Sequence, residues 1–141
     1  MYVVLVDVPP KGDVYADEPW LTIWWDRAHN CVHGEWKAFA TSVEFRAGLM
    51  KGLEAIRDRR ATGYVSDTRK VKGIVHKDQV WVKDTWIPLA KAAGLKRVAL
   101  VTGAGKLGRI TVLEIVEHVE DRVFLRSFDT LAEAFNWVAK A

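Results

Sequence analysis

The stretch from Tyr64 to Thr102 constrains the fold more than any other part of the chain. It reads as a short apolar segment, YVSD, then a helical pattern within HKDQVWVKDTWIPLAKAAG, then a second apolar segment, KRVALVT. The residues between the two short segments are numerous enough for a crossover connection. This pattern predicts two parallel, buried strands joined by a helix, and therefore an α/β protein.

Further strands are predicted on the amino-terminal side of this βαβ unit. Residues 2–8 read as an edge strand that stops at Pro9, and residues 11–19 read as a polar, acidic loop. The segments LTIWWDR and CVHGEWKAF predict a hairpin, and Asn30 between them is the turn residue best able to adopt a positive φ.

The ends of the helices are marked by recognisable residues. Capping-box patterns at Thr41 and Thr130 predict the starts of the first and last helices. Gly94 is suited to end the crossover helix. Pro88 lies inside that helix and predicts a kink, or two short helices hinged just before it, because proline removes one backbone hydrogen bond.

A third helix is predicted after the glycine-rich turn that follows KRVALVT, with Ile110, Leu113, Val116 and Val119 on one face. The strand RVFLRSF comes next. The order of elements is then β, ββ, α, β, α, β, α, β, α. It predicts one domain over residues 1–141, with a mixed sheet, parallel core strands and about four helices.

Composition fits such a domain, because half of the 141 residues are hydrophobic. No run approaches the roughly 20 apolar residues that a membrane-spanning helix requires, and the first residues lack the basic start of a signal peptide. The single cysteine, Cys31, excludes an internal disulfide. These features predict a cytoplasmic protein without a transmembrane segment.

The charge is distributed unevenly along the chain. Residues 46–77 hold nine Lys and Arg against three Asp and Glu. This patch could attract an anionic partner or allow peripheral contact with a membrane, although the solvated face of a helix explains it more simply. No nucleic-acid partner is expected, because neither an RNP motif nor a helix-turn-helix pattern accompanies the charge.

The segment from Gly103 to Gly108 has the GxGxxG spacing of a dinucleotide-binding turn and stands between a strand and a helix. A dinucleotide fold, however, places this turn after its first strand and needs several further βα units. Too few residues remain after Gly108 to form them. A Walker A loop is excluded, because Leu107 stands where Ser or Thr binds magnesium. A tight glycine turn is favoured, and no cofactor is predicted.

Two further patterns are candidates for a metal site or a nucleophile. His29, Cys31 and His33 are spaced by two and would share a face of one strand, but the sequence places no fourth zinc ligand beside them. No serine or cysteine has a nearby base that would make it a nucleophile. We therefore expect no metal site, no catalytic residues and no enzymatic activity.

Seven tryptophans are many for this length. Trp24 and Trp25 point to opposite faces of one strand, and Trp81 and Trp86 lie on different sides of the crossover helix. Each pair therefore has a member available for a partner, a ligand or a dimer interface. Core filling is the favoured role for two others, Trp36 and Trp137.

Asp67, Thr68 and Arg69 follow the central strand, at the carboxyl edge where open α/β sheets place ligands. They are candidates for a ligand surface. An alternative, which we favour, is that Asp67 holds the following loop or pairs with Arg69 as part of the scaffold.

Several stretches together resemble a known family: WKAFATSVEFRAGLMKGLEAI, YVSDTR, KDQVWVKDTWIPLAKAAGLKRVAL and FDTLAEAFNWV. They are similar to small bacterial STAS-like proteins, also described as SpoIIAA-like or STAS/SEC14-domain proteins. The resemblance implies a STAS-like fold that binds protein partners, or apolar ligands between helix and sheet. The phosphorylated serine of anti-sigma-factor antagonists has no counterpart at His76 to Val80, although Ser66 and Thr68 are nearby.

Three functions follow as hypotheses. The first is a non-catalytic module that binds a protein partner, or a second copy as a homodimer, through its helical face. The second is a carrier or sensor of a small apolar or lipid-like ligand, in a pocket lined by Trp81, Trp86 and Ile110 and opened at the Pro88 hinge. The third, more remote, is a nucleotide-dependent enzyme that uses the GAGKLG turn.

Overall fold

A computed structural model describes residues 12–103 and 105–141 and has an α/β architecture built on one mixed sheet. The six strands lie side by side in chain order, the first three antiparallel and the last four parallel. They are β1 (Asp13–Glu18), β2 (Leu21–Asp26), β3 (Cys31–Trp36), β4 (Gly63–Asp67), β5 (Arg97–Val101) and β6 (Leu125–Phe128).

Four helical segments connect or follow the parallel strands, as expected. The crossover segment between β4 and β5 is continuous and contains α2, a π-helical turn at Val82–Trp86, and α3. The helices are α1 (Ser42–Arg59), α2 (His76–Trp81), α3 (Ile87–Ala92), α4 (Lys106–His118) and α5 (Leu131–Val138).

The amino-terminal hairpin is confirmed, and Asn30 at its turn has a φ of 49°. The expectation of a loop over residues 11–19 is wrong, because β1 occupies most of it and pairs with β2. Most side chains of β1 are exposed, so its sequence lacks an alternating apolar pattern. Pairing of its backbone with β2 is what makes it a strand. The edge strand predicted at residues 2–8 lies outside the described residues.

The two faces of the sheet are covered differently. Parallel strands added in one direction by crossovers of one hand place α1, α2–α3 and α4 on the same side, which we call the helical face. Among the described elements, α5 alone packs on the other side, which we call the second face. There Leu131, Phe135 and Val138 contact Val65 and Ala99.

Helix α1 begins as its capping box predicts, since Thr41 and Glu44 bond reciprocally to each other's backbone N–H groups. Leu49 and Leu53 are buried against the sheet. Gly48 allows α1 to approach the sheet closely, because a Cβ there would lie 2.8 Å from the Trp36 ring.

A π-helical turn at Val82–Trp86 stands just before Pro88, where a kink or a hinge between two short helices was expected, and the helical segment continues through it. The Ile87 N–H group bonds to the Val82 carbonyl five residues back, so one π-helical turn precedes the proline and absorbs its missing donor. Gly94 ends the segment with a φ of 97°, as predicted. The helix therefore has a defined junction between α2 and α3.

Candidate functional site

The carboxyl ends of the four parallel strands meet at one edge of the sheet, where α/β folds commonly bind ligands. The loops that leave β3, β4 and β5 at this edge are residues 37–41, 68–75 and 102–105. The first turns of α1, α2 and α4 begin there as well. We refer to this end of the molecule as the carboxyl edge.

A groove of about 430 Å³ opens at the carboxyl edge, between residues 38–40 and residues 71–75. Its lining is aliphatic, aromatic or glycine, with Lys72 and Thr111 as the polar exceptions. The Thr111 hydroxyl accepts the N–H of Ile74 at 3.0 Å and lies 3.0 Å from the Leu107 carbonyl oxygen, so it serves the backbone. The groove is therefore an apolar surface with one cationic side chain.

Large apolar side chains in the groove are open to solvent. Phe39 is 75% exposed, Leu107 63% and Val75 55%. Single exposed apolar residues are ordinary, but three that converge on one concavity are typical of a binding site. This groove is the candidate functional site.

A small cavity of about 40 Å³ lies behind the groove, between the helical face and its helices. Trp36 and Ile74 line both spaces and separate them. The cavity walls are mostly apolar, with Tyr64, Trp86 and Val112 among them.

Residues 71–75 are held in place by glycines and side-chain hydrogen bonds. Gly108 lies against the Val71 carbonyl, where any Cβ would overlap the oxygen, and Gly73 packs beside Leu107. The Gln79 Nε2 group donates to the Ile74 carbonyl at 2.9 Å. One wall of the groove is thereby tied to both α4 and α2.

Helix α2 is attached to α1 through a buried carboxylate. Asp78 is 3% exposed and accepts hydrogen bonds from Ser42 Oγ and Arg46 Nε, both at 2.8 Å. The Arg46 guanidinium also lies over the Trp81 ring, at 5.3 Å from its centroid. This pairing sets the position of α2 beside the groove. The π-helical turn follows α2 directly in the chain.

The pocket predicted from Trp81, Trp86 and Ile110 is wrong in part. Trp86 lines the inner cavity, whereas Trp81 is half-buried beneath Arg46. Ile110 is exposed, because α4 turns Thr111 and the residues at 112, 115 and 116 inward. Apolar residues occur on several sides of α4, so their spacing did not determine which face is buried.

The tryptophan pair on β2 divides as expected, one to each face, but Trp25 is not available to a partner. It is buried in the core of the helical face. Trp24 is half-buried on the second face and stacks on His33 at 5.0 Å between ring centroids. Trp36 fills the core as predicted, whereas Trp137 is only half-buried, beside Phe128.

Asp67 and Arg69 form the scaffold contact that was favoured. Asp67 accepts from Arg69 Nε at 2.9 Å and from the Arg69 backbone at 3.1 Å. The Thr68 hydroxyl donates to the Val101 carbonyl at 2.6 Å, and Thr68 also borders the inner cavity. These residues hold β4 and β5 together at the carboxyl edge.

Two of the three glycines of the GxGxxG segment have a packing role, while nothing among the described residues lies close to a Cβ at Gly105. A Cβ at Gly103 would lie 2.7 Å from the Arg69 carbonyl oxygen, and Gly108 meets Val71 in the same way. In a dinucleotide site the pyrophosphate makes this close approach. Here the chain's own residues 69–71 occupy that space.

The second face carries buried polar groups. Burial lowers the pKa of His33 to about 4, against the smaller opposing effects of Asp67 and Asp26. Burial likewise raises the pKa of Cys31. His29 Nδ1 lies 2.6 Å from Asp26. Across the part of the chain that the structure describes, no three His, Cys, Asp or Glu residues are grouped as metal ligands.

Comparison with known proteins does not identify a relative. No family model matches the chain, and no curated protein or solved structure matches it significantly. None of the helices in residues 12–103 and 105–141 is long and apolar enough to cross a membrane.

The groove residues were not predicted. Phe39, Val75 and Leu107 belong to three separate loops or helix starts, and each is an apolar residue in a polar or glycine-containing segment. That local contrast was the available signal. Their convergence depends on strand order, which places the ends of β3, β4 and β5 side by side.

Proposed function

We propose that this protein is a non-catalytic binding protein for an apolar, lipid-like ligand with an acidic head, such as a long-chain fatty acid. The observation that carries the proposal is the adjacency of the groove and the inner cavity across Trp36 and Ile74. The acyl chain would cover Phe39 and Leu107 in the groove, and its carboxylate would pair with Lys72.

The size and chemistry of the groove support this ligand. Its volume of about 430 Å³ is that of a small-molecule site, and such sites are mainly apolar with few polar groups. Complete burial of a side chain such as Phe39 or Leu107 contributes about 1.5 to 3 kcal/mol each, as an upper estimate. An acyl chain supplies the matching apolar surface.

Binding without a reaction is the simplest activity for these residues. The Thr111 hydroxyl is engaged with the backbone of Ile74 and Leu107. Lys72, the other polar side chain of the lining, is a cation beside apolar walls. A cation there orients an acidic ligand by charge.

Titration with a fluorescent long-chain fatty acid tests the proposal. We expect a saturable rise in probe fluorescence that unlabelled palmitate reverses. Gly73→Leu should abolish the rise, because the new side chain projects into the groove beside Leu107, while Gly73 has no positive φ that a side chain would strain.

Ala132→Leu is the matched control, since it adds the same side chain on an exposed position of α5. It should bind the probe like the wild type. Equal binding by the Gly73→Leu variant, with circular dichroism confirming that it is folded, would place the probe elsewhere and contradict the proposal.

We also propose that the fold is STAS-like and that the chain is a SpoIIAA-like protein of the cytoplasm. The mixed sheet with a parallel core and four helical segments agrees with what the resemblance implies. The reduced, buried Cys31 suits that compartment. A crystal structure superposed on STAS domains would test the fold.

Self-association or binding of a protein partner is the second candidate function. Val14 and Trp24 are paired neighbours on the second face, and α5 packs instead on β4, β5 and β6. Val14 is exposed and Trp24 half-buried. Sedimentation velocity over a concentration series tests self-association, and a monomer at every concentration would contradict it.

A further inference from the structure

Exposed apolar side chains concentrate around the groove mouth. Five of the nine large apolar side chains that are exposed in the described residues lie at the carboxyl edge. Three of them line the groove, and two lie outside it, in the first turn of α1 and the second turn of α4. We call these five the apolar rim: Phe39, Val43, Val75, Leu107 and Ile110.

Lysines stand beside the apolar rim. Residues 68–77 contain four Lys and Arg and no Asp or Glu. Lys70, Lys72 and Lys77 in this segment are exposed, and none of them forms an ion pair with another described residue. These three charges are therefore available to an anionic partner.

Neighbouring carboxylates do not neutralise the lysines. Asp67 and Asp78, at the two ends of the segment, are buried and already paired with Arg69 and Arg46. At the opposite edge of the sheet, where the parallel strands begin, Val123 is the exposed large apolar residue among those that the structure describes. The combination of apolar and cationic groups thus distinguishes one end of the molecule.

We propose that the carboxyl edge docks on a bilayer that contains anionic phospholipid. Side chains of the apolar rim enter the boundary between headgroups and acyl chains, and the lysines contact lipid phosphates. Peripheral proteins use this combination of inserted apolar residues and electrostatic attraction, since either contribution alone is weak.

Docking in this orientation also explains where a ligand would enter. The groove mouth lies within the apolar rim, so an acyl chain would pass from the bilayer to the groove without crossing water. This step rests on the proposed function. The docking itself rests only on the apolar rim and the three lysines.

Sedimentation with two kinds of vesicle tests the docking. One is phosphatidylcholine alone, and the other is phosphatidylcholine and phosphatidylserine in equal parts. We expect binding to the anionic vesicles that weakens as salt is added, with little binding to the neutral ones. Lys70→Gln/Lys77→Gln and Val43→Gln/Ile110→Gln should each weaken it by about tenfold.

Matched controls make the same changes away from the carboxyl edge. Lys96→Gln/Lys140→Gln removes the same charge, and Val14→Gln/Val123→Gln removes comparable exposed apolar groups. Both should bind anionic vesicles like the wild type. Equal weakening by the controls, equal binding to neutral vesicles, or no binding to either kind would overturn the docking.

The two proposals fail separately. The Lys70→Gln/Lys77→Gln and Val43→Gln/Ile110→Gln variants leave the groove lining intact, so they should still bind the fluorescent fatty acid in solution. Probe binding without vesicle binding would overturn the docking alone. Vesicle binding without probe binding would support docking and contradict the proposed ligand.

Discussion

The two faces of the sheet are buried by different means. The helical face meets three helical segments, forms the larger apolar core and retains a cavity of about 40 Å³. The second face meets one described helix, α5, and forms a small apolar cluster beside His33, Asp26 and Asp67, which are themselves buried. The larger core thus retains a cavity, and the smaller one surrounds a buried imidazole and two buried carboxylates.

This difference separates two roles within one sheet. A cavity costs dispersion contacts, but it gives the helical face room to admit the end of a ligand. On the second face the residues of the apolar cluster are at most 3% exposed, and the penalty there comes from removing His33 from water. Stability should therefore respond to side-chain volume on the helical face and to pH on the second face.

Trp86→Ala should have the largest effect, on the helical face. Trp86 is buried, packs on Tyr64 and donates its indole N–H to the Leu49 carbonyl at 2.7 Å. Its removal would enlarge the cavity, so we expect a loss of about 3 to 5 kcal/mol in the free energy of unfolding, measured with urea.

Trp86→Phe is the control, because it keeps an aromatic ring and loses the hydrogen bond. It should lower the free energy of unfolding by about 1 kcal/mol. If Trp86→Ala cost no more than Trp86→Phe, the helices of this face would not depend on the indole. The contrast between the two faces would then be wrong.

Acid should weaken the protein through His33, on the second face. The ring is 0% exposed, between Trp24 and Phe135, and neither nitrogen bonds to a described residue. Its pKa falls from 6.5 to about 4, chiefly because burial disfavours the charged form. Below pH 6.5 the unfolded chain therefore binds a proton that the folded chain does not.

The free energy of unfolding therefore decreases as the pH is lowered. The full stability is present above pH 6.5, falls as the pH drops toward about 4, and loses no more through this group below that. The loss is roughly 3 kcal/mol, at about 1.4 kcal/mol per unit of pKa. Urea unfolding at several pH values measures it.

His33→Leu should remove this slope, because leucine does not titrate and suits the aromatic surroundings. Carboxylates elsewhere are present in both proteins, so the difference between the two curves isolates His33. Parallel curves for the wild type and the variant between pH 6.5 and 4 would show that the buried imidazole is not the cause.

Much of the fold was predictable because its signals are local. The capping box at Thr41 and the proline at 88 act within a few residues of themselves, and the structure has the expected helix start at the first and a π-helical turn just before the second. Strand β1 was missed because an edge strand needs backbone pairing and not an apolar pattern.

The site was less predictable because it depends on topology. Asp67 and Arg69 could be assigned to the scaffold, since they are two residues apart and opposite in charge. Phe39 and Leu107 are far apart in sequence and meet only because β3, β4 and β5 end side by side. The error at Ile110 has a related cause, since tertiary packing and not spacing chose the buried side of α4.

The smallest expected effect compares one added methyl group on each face. Val112 lines the inner cavity, so Val112→Ile should fill part of it and raise the free energy of unfolding by about 0.5 to 1 kcal/mol. Val65 lies under α5 in the filled cluster, so Val65→Ile should overpack and lower it by about 1 to 3 kcal/mol. Urea midpoints measure both, and changes of the same sign would show that the two faces are equally well packed. A stabilised Val112→Ile variant that also binds the fatty acid probe less tightly would connect the incomplete packing of the helical face to ligand entry.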